Sequence, residues 1–311
     1  MNYLGGKKIL ITGATGFVGK NLVRELFNRG QDLLTPTRKD YDLMVQEEVR
    51  RMFRELKPEV VFHLAGMVGG ILANKESPAE FFYNNILLNT MVIHEAYLSG
   101  VEKLITLIGG CSYPANAPSP ISEDELFNGY PQPESAPYSL AKAMSVVQAQ
   151  AYRKQYGFNA IVLVPGNLYG PYDNFELESS HVIPALIRKF HEAKVNGKKK
   201  VTVWGTGKPI RDFIYIEDAC KVIVRAAEIY NEPDIINVSS GEGISIAELV
   251  NLVAEVVGFD GEIVWDRSKP DGQMIKIFDV KKMKAKLGEF DFVSLKEGLK
   301  KTYQWYLENL D

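Results

Sequence analysis

Lys8-Ile9-Leu10-Ile11-Thr12-Gly13-Ala14-Thr15-Gly16-Phe17-Val18-Gly19 is the stretch whose reading decides the fold. The short apolar run Lys8–Thr12 suits a buried strand, and it stops at a glycine. A helix is predicted from Gly16 to about Arg29. It carries Val18, Leu22, Val23, Leu26 and Phe27 on one apolar stripe and ends at Gly30. Strand, glycine turn and helix in that order bring backbone N–H groups and the positive end of a helix dipole to one point. A pyrophosphate suits that point, because glycines let the backbone approach it and the helix terminus favours its charge. Gly13, Thr15, Gly16, Phe17, Val18 and Gly19 are therefore candidate dinucleotide contacts.

A second apolar run, 32–36, leads to Thr37-Arg38-Lys39-Asp40. An enzyme selective for NAD usually carries an acidic residue at the end of this strand, for the ribose 2′-hydroxyl. Thr37 and Arg38 stand there instead and suit a 2′-phosphate, so NADP is the expected cofactor and NAD the alternative. Asp42 and Leu43 are candidates to line the adenine. Residues 58–65 read as a buried strand in which His63 is a satisfied core histidine. Leu64, Ala65 and Gly66 fall at that strand's end, where a doubly wound sheet binds its ligand. Residues 78–100 form a long helical pattern with Asn84 and Asn85 in its first half. Residues 103–110 read as the next strand, ending in Gly109-Gly110-Cys111-Ser112-Tyr113-Pro114. A further strand, 160–164, runs into Pro165-Gly166-Asn167-Leu168-Tyr169-Gly170-Pro171.

Alternating strands and helices over this length predict an α/β fold with a Rossmann-type doubly wound parallel sheet. Beyond Pro171 the rhythm loosens. A polar loop spans 174–180, helices are predicted at 181–193, 244–257 and 294–309, and short strands at 201–204 and 212–216 flank Gly205-Thr206-Gly207. Residues 1–171 are thus expected to form a dinucleotide-binding domain, with segments near 210–240 returning to it. Residues 172–311 form a smaller α/β substrate-binding domain.

PESAPYSLAKAMSVVQAQAY (133–152) has small and apolar residues at helical spacing, entered just after Pro137. Tyr138 and Lys142 lie one turn apart on one face. A free phenol, with a pKa of about 10, is a poor acid–base catalyst near neutrality. A neighbouring ammonium favours the phenolate and is expected to lower that value.

The chain of 311 residues is 46% hydrophobic and 24% charged with a net charge of −3, which argues against a dedicated nucleic-acid binder. No uninterrupted apolar stretch is long enough for a membrane span. The start runs into a strand without a signal-peptide pattern, and the two cysteines, Cys111 and Cys220, make neither a disulfide framework nor a metal-ligand spacing. A reducing cytoplasm and no metal are expected.

GATGFVG, YSLAK and the long C-terminal half resemble the extended short-chain dehydrogenases/reductases. HLAGMVGGILAN, the CSYP turn, PGNLYGPYDNF, SSHVIPALIRKFHEA, VTVWGTGKPIRDFIYIED and KPDG narrow the resemblance to the GDP-L-fucose synthase family, over nearly the whole chain. Those enzymes are NADPH-dependent epimerase/reductases of a GDP-linked 4-keto sugar. The resemblance implies that Tyr138 gives a proton to the C4 ketone during hydride transfer, while Lys142 lowers its pKa and holds the nicotinamide ribose. It makes Cys111 and His181 an acid–base pair for C3 and C5, whose protons the 4-keto group acidifies. By the same resemblance His181, Pro165, Asn167 and Leu168 also border the cofactor. Asn167, Lys189, Trp204, Arg211 and Asp271 fall on substrate positions, and a homodimer built on the helices at 78–99 and 137–156 is implied.

Three departures stand out: Gly109 where the superfamily has a catalytic Ser or Thr, Thr15 where the family often has an Arg, and Met274-Ile275 where it has Pro-Arg. They keep open an NAD-dependent 4-dehydrogenase or 4-epimerase of a nucleotide sugar such as a GDP-hexose or GDP-heptose. A non-catalytic dinucleotide-binding regulator is the reading from another class.

Overall fold

β1 (Lys8–Thr12) lies between β2 (Asp32–Leu34) and β3 (Val60–His63), parallel to both. It is an interior strand of a sheet seen here in a computed structural model that describes residues 3–177, 179–268 and 271–310, without the side chains of Ile71 and Leu72. Ile9 and Ile11 enter one hydrophobic core and Leu10 enters the other, so the strand is apolar on both faces, as a sheet covered on both sides requires. Each such fully buried aliphatic side chain contributes roughly 1.5–3 kcal/mol.

The helix after β1, α1 (Phe17–Asn28), begins behind Gly16 and is packed against the turn itself. Gly13 has φ +74°, and a Cβ there would come within 2.7 Å of the Ala65 nitrogen. A Cβ on Gly19 would fall 2.1 Å from the Gly13 carbonyl. Leu22 and Leu26 are buried as the apolar stripe predicts, whereas Phe27 is 72% exposed. Phe27 lies at the stripe's margin and stays largely open to solvent.

The sheet continues through α2 (Gln46–Leu56), α3 (Ile71–Glu76), α4 (Pro78–Leu98), β4 (Lys103–Leu107), α5 (Ala136–Tyr156) and β5 (Ala160–Pro165). Beyond β5 the chain makes β6 (Asn167–Tyr169), α6 (Val182–Val195), β7 (Lys200–Trp204), β8 (Ile210–Tyr215), α7 (Ile216–Ile229) and β9 (Ile236–Val238). β9 pairs with β5 and completes a parallel sheet of order β2-β1-β3-β4-β5-β9. This is a Rossmann-type doubly wound sheet, with α1 against α7 on one side and α2, α4 and α5 packed together on the other. The short strand expected to reach residue 216 stops at Tyr215, because Ile216 is already the first residue of α7.

The remaining elements are β10 (Gly243–Ser245), α8 (Ile246–Val257), β11 (Glu262–Asp266), β12 (Ile275–Lys276), α9 (Lys281–Leu287) and α10 (Leu295–Glu308). β8 is the hub of the second sheet, parallel to β6 and β12 and antiparallel to β10, while β11 and β7 form a separate parallel pair. Ser245 and Glu248 cap α8 reciprocally, each side chain taking the other's backbone N–H, a device worth about 1 kcal/mol. Among the described residues no helix is long and apolar enough to cross a membrane.

Candidate active site

The carboxyl ends of β1, β2 and β3 open onto a cavity of about 520 Å³. Gly13, Thr15, Arg38, Asp42, Ala65 and Gly66 line it, so the candidate phosphate turn and the candidate adenosine contacts share one space. Gly16 N–H closes the turn onto the Gly13 carbonyl at 3.0 Å, and Leu64 N–H donates to Thr12 at 3.1 Å. Arg38 is paired with Asp42 at 3.2 Å and its side chain is 80% exposed. His63 is a core residue as expected, hydrogen-bonded to Thr12 and Asn89; burial drives its pKa down to about 3 and keeps the ring neutral.

The chemistry-bearing end lies where β3, β4 and α5 meet. Pro137 occupies the first turn of α5, which costs no hydrogen bond there and sets the helix so that Tyr138 and Lys142 share a face. The Tyr138 ring packs edge-on to Phe81 with centroids 6.1 Å apart. A Cβ on Gly66 would lie 3.8 Å from Lys142 Nζ and 3.1 Å from Asn85 Oδ1. Asn85 ties the same turn by accepting from Met67 N–H and donating to the Met67 carbonyl. The ammonium therefore faces the cofactor side of the site.

Gly109 marks the point where Cys111 and Tyr138 converge. A Cβ there would stand 3.0 Å from Cys111 Sγ and 3.8 Å from Tyr138 Oη. Gly110 is held open by Phe278, whose Cζ would be 2.5 Å from an added Cβ. The turn is pinned further on by Tyr113, whose hydroxyl donates to Asn237 at 2.6 Å. Ser112 is buried and gives its hydroxyl to the Ser139 carbonyl at 3.1 Å, so it does not stand in for a hydroxyl at position 109.

Electrostatics correct one expectation. Burial pushes the Tyr138 phenol up from its ordinary value, and the Cys111 charge pushes it further; no lowering by Lys142 offsets this. Part of the Tyr138 surface opens to the cleft, yet dense protein surrounds the group, and the cost of a desolvated phenolate dominates. Lys142 is itself driven down to about 8 by burial, with Cys111 acting in the opposite sense. Tyr138 is accordingly a protonated phenol at neutral pH, the form from which the acid role expected of it would start.

His181 caps α6 without a side-chain bond, just after a loop that approaches Gly70 at the start of α3: a Cβ on Gly70 would meet the Ser179 carbonyl at 3.3 Å. Its imidazole keeps a face open to water, and the surrounding protein lowers its pKa by desolvation. Lys189 donates to the Thr202 carbonyl at 3.1 Å and sits 5.9 Å from the Trp204 ring centroid, so these two of the expected substrate residues come together. Trp204 is 59% exposed and is no core residue. Asn167 donates to the Asp212 carbonyl at 2.7 Å, joining β6 to β8. Pro165 and Leu168 are absorbed in the ladders of β5 and β6.

Asp271 is engaged inside the protein. Its carboxylate accepts from Thr206 N–H at 2.7 Å and Thr206 Oγ1 at 2.6 Å, clamping its segment to the Gly205–Gly207 turn. Arg211, half-buried, donates to its own strand at the Ile210 carbonyl, and burial lowers its pKa while Asp271 opposes that. Lys269 and Pro270 of KPDG lie outside the described residues. Sequence reasoning missed Lys276, which pairs with Arg211 in the β12–β8 register and whose pKa is lowered by burial, with Cys111 opposing and Arg211 adding to the shift. The signal was present: a lone lysine between Ile275 and Ile277 in a short strand.

A doubly wound sheet with a glycine turn, an adenosine cavity and a Tyr–Lys helix at its carboxyl end defines a nucleotide-cofactor enzyme. The model of the NAD dependent epimerase/dehydratase family matches residues 9–239, and the chain belongs to that family. It is 45% identical over 304 residues to GDP-L-fucose synthase 1 of Arabidopsis thaliana, covering 97% of this chain and 94% of that one. To the GDP-L-fucose synthase of Escherichia coli (strain K12) it is 38% identical, over 98% of each chain. Among solved structures, a GDP-mannoheptose C4 reductase from Campylobacter jejuni with NADP bound superposes with a TM-score of 0.87 at 36% identity, covering 97% of this chain and 98% of that one.

Proposed function

We propose that this chain is an NADP-dependent epimerase/reductase acting at C4 of a GDP-linked 4-keto sugar. The observation that carries the reading is the convergence of Cys111 and Tyr138 on Gly109, beside Lys142 at the cofactor side. The residues present fit the cofactor: Gly13 and Gly19 let the turn close against Ala65 and upon itself, where a Cβ would strike backbone, and Arg38 at the cavity rim suits a 2′-phosphate. NADPH bound there supplies hydride to C4. Tyr138 gives its proton to the C4 oxygen, and the Lys142 ammonium holds the ribose and the phenolate that remains. Cys111 and His181 move protons at C3 and C5, which the ketone acidifies. Lys189, Trp204, Arg211 and Lys276 bind the nucleotide diphosphate portion, by charge and by an aromatic surface.

Residues 1–171, with 216–238 crossing back, serve the cofactor, and 172–311 serve the sugar nucleotide. The enzyme works as a homodimer paired through α4 and α5. That reading rests on Phe82, Tyr83 and Leu98 of α4 and Met144, Val147 and Tyr156 of α5, large apolar side chains left exposed. A panel of nucleotide-linked 4-keto sugars assayed with NADPH and NADH tests the activity. NADPH oxidation with a GDP-linked member is expected; no turnover across the panel despite cofactor binding would overturn the reading.

A further inference from the structure

Gly109 leaves the C4 oxygen without the Ser or Thr hydroxyl that such sites aim at it, and the structure shows what occupies the vacated space. Cys111 Sγ is 3.0 Å from the position of the missing Cβ, on the residue whose absent side chain would also have stood 3.8 Å from the Tyr138 hydroxyl. The nearest hydroxyl in sequence, Ser112, is committed to the Ser139 carbonyl. Gly110 cannot contribute a side chain, because the Phe278 ring fills that side of the turn. Tyr113, through Asn237, and Phe278, whose N–H donates to Asp212, fix the turn that carries the sulfur.

We infer that the Cys111 thiol takes the place of the missing hydroxyl, donating its S–H to the C4 oxygen while Tyr138 protonates it. This rests on the proposed reduction at C4. C4 receives hydride, the carbonyl π pair moves onto oxygen, and that oxygen takes the Tyr138 proton; the sulfur keeps its own proton and no bond is made or broken at it. With glycine at 109 the sulfur sits closer to this position than a Cβ would leave it, by a few tenths of an ångström. A thiol is a weaker donor than a hydroxyl, so this arrangement yields a slower but functional reductase. The same sulfur, used as a base at C3 or C5, needs only a small shift around the ring.

The test uses a keto sugar that already has the product stereochemistry, so that reduction needs no epimerisation. Cys111→Ala is expected to lower kcat for reduction by about 10–100-fold, at or below the range for loss of one oxyanion donor, with KM nearly unchanged. Gly109→Ser combined with Cys111→Ala puts the hydroxyl back and should restore kcat to the wild-type level or above. A second readout needs no cofactor: solvent deuterium uptake into the keto sugar should be lost in Cys111→Ala and stay lost in the double variant. Wild-type reduction by Cys111→Ala, or a double variant no faster than Cys111→Ala, overturns the inference. Cys111→Ser, which keeps a donor, guards against a packing defect: it should reduce at close to the wild-type rate. Failure of wild-type enzyme to reduce any GDP-linked 4-keto sugar would instead remove the function on which the inference stands.

Discussion

Arg38 directs Nε and Nη2 at a single oxygen of Asp42, at 3.4 and 3.2 Å, on the rim of the adenosine cavity. Asp42 is a firm counter-ion, since Met44 N–H and then Arg38 hold its carboxyl below the usual carboxylate range. A ribose 2′-phosphate must therefore compete with Asp42 for the guanidinium. Arg38→Ala is expected to weaken NADPH binding roughly tenfold, about 1.4 kcal/mol, and to leave NADH nearly unchanged. Asp42→Asn should act in the opposite direction and raise the preference for NADPH. Fluorescence titration with both cofactors checks this; equal losses for both in Arg38→Ala would show that Arg38 does not read the phosphate.

The pH dependence of reduction follows from Lys142, whose pKa burial lowers to about 8. Below that value the ammonium is charged and can hold the ribose and the nascent phenolate; above it the charge is lost. Tyr138, raised by burial, stays protonated throughout. So kcat/KM, which reports the free enzyme, should fall as pH rises through about 8. Lys142→Arg should lose activity overall but remove that fall. A wild-type profile flat well above pH 8 would contradict the assignment.

Lys103 stabilises the fold away from the site. It is buried, and its ammonium donates to the carbonyls of Ala227 at 2.6 Å and Ala226 at 3.3 Å and to Asn231 Oδ1 at 2.9 Å, closing the end of α7. Lys103→Met leaves these acceptors without their donor and should cost about 1–3 kcal/mol. Burial lowers its pKa from 10.5 to about 8, so in that window the unfolded chain holds more protons and this group's contribution to stability rises with pH. Thermal unfolding at several pH values should show a smaller rise in the variant than in wild type between pH 8 and 10.

The exposed apolar residues of α4 and α5 set the expectation for assembly. Light scattering at micromolar concentration should give twice the chain mass of 34.9 kDa. Val147→Glu with Tyr83→Glu places charge on both helices of that face and should shift the mass toward the monomer. A wild-type monomer would leave the apolar face unexplained and sink the pairing.

How much of this was legible in the sequence depends on how local the physics is. The glycine turn of 13–19 and the spacing of Tyr138 and Lys142 are set by a few adjacent residues, and the parallel sheet followed from their alternation with apolar runs. The direction of the Tyr138 shift was not legible, because it depends on how much protein closes around the phenol. The engagement of Asp271 by Thr206 joins residues 65 positions apart, and the pairing of Lys276 with Arg211 depends on the β12–β8 register. Phe27 shows the converse: helical periodicity identified a stripe, but not how far the covering element α7 reaches across it.

Epimerisation and reduction use different atoms of one site, and two substitutions should separate them. Cys111→Ser replaces the thiol by a hydroxyl that still donates a hydrogen bond but is a far weaker base at neutral pH. Deuterium uptake at C3 and C5 of a bound 4-keto sugar should therefore fall much more than reduction of a sugar that needs no epimerisation. Tyr138→Phe removes the proton donor to the C4 oxygen, and Phe81 should still pack on the ring. That variant should bind the sugar nucleotide, exchange protons into it and reduce it very slowly, by about 10²–10⁴-fold less for the loss of general acid catalysis. Mass spectrometry of recovered sugar and cofactor oxidation read the two steps independently. If wild-type enzyme incorporates no deuterium into a 4-keto sugar that it demonstrably reduces, Cys111 and His181 are not an acid–base pair here. The Cys111 thiol would then serve the C4 oxygen alone, and the enzyme would be a reductase without the epimerase step.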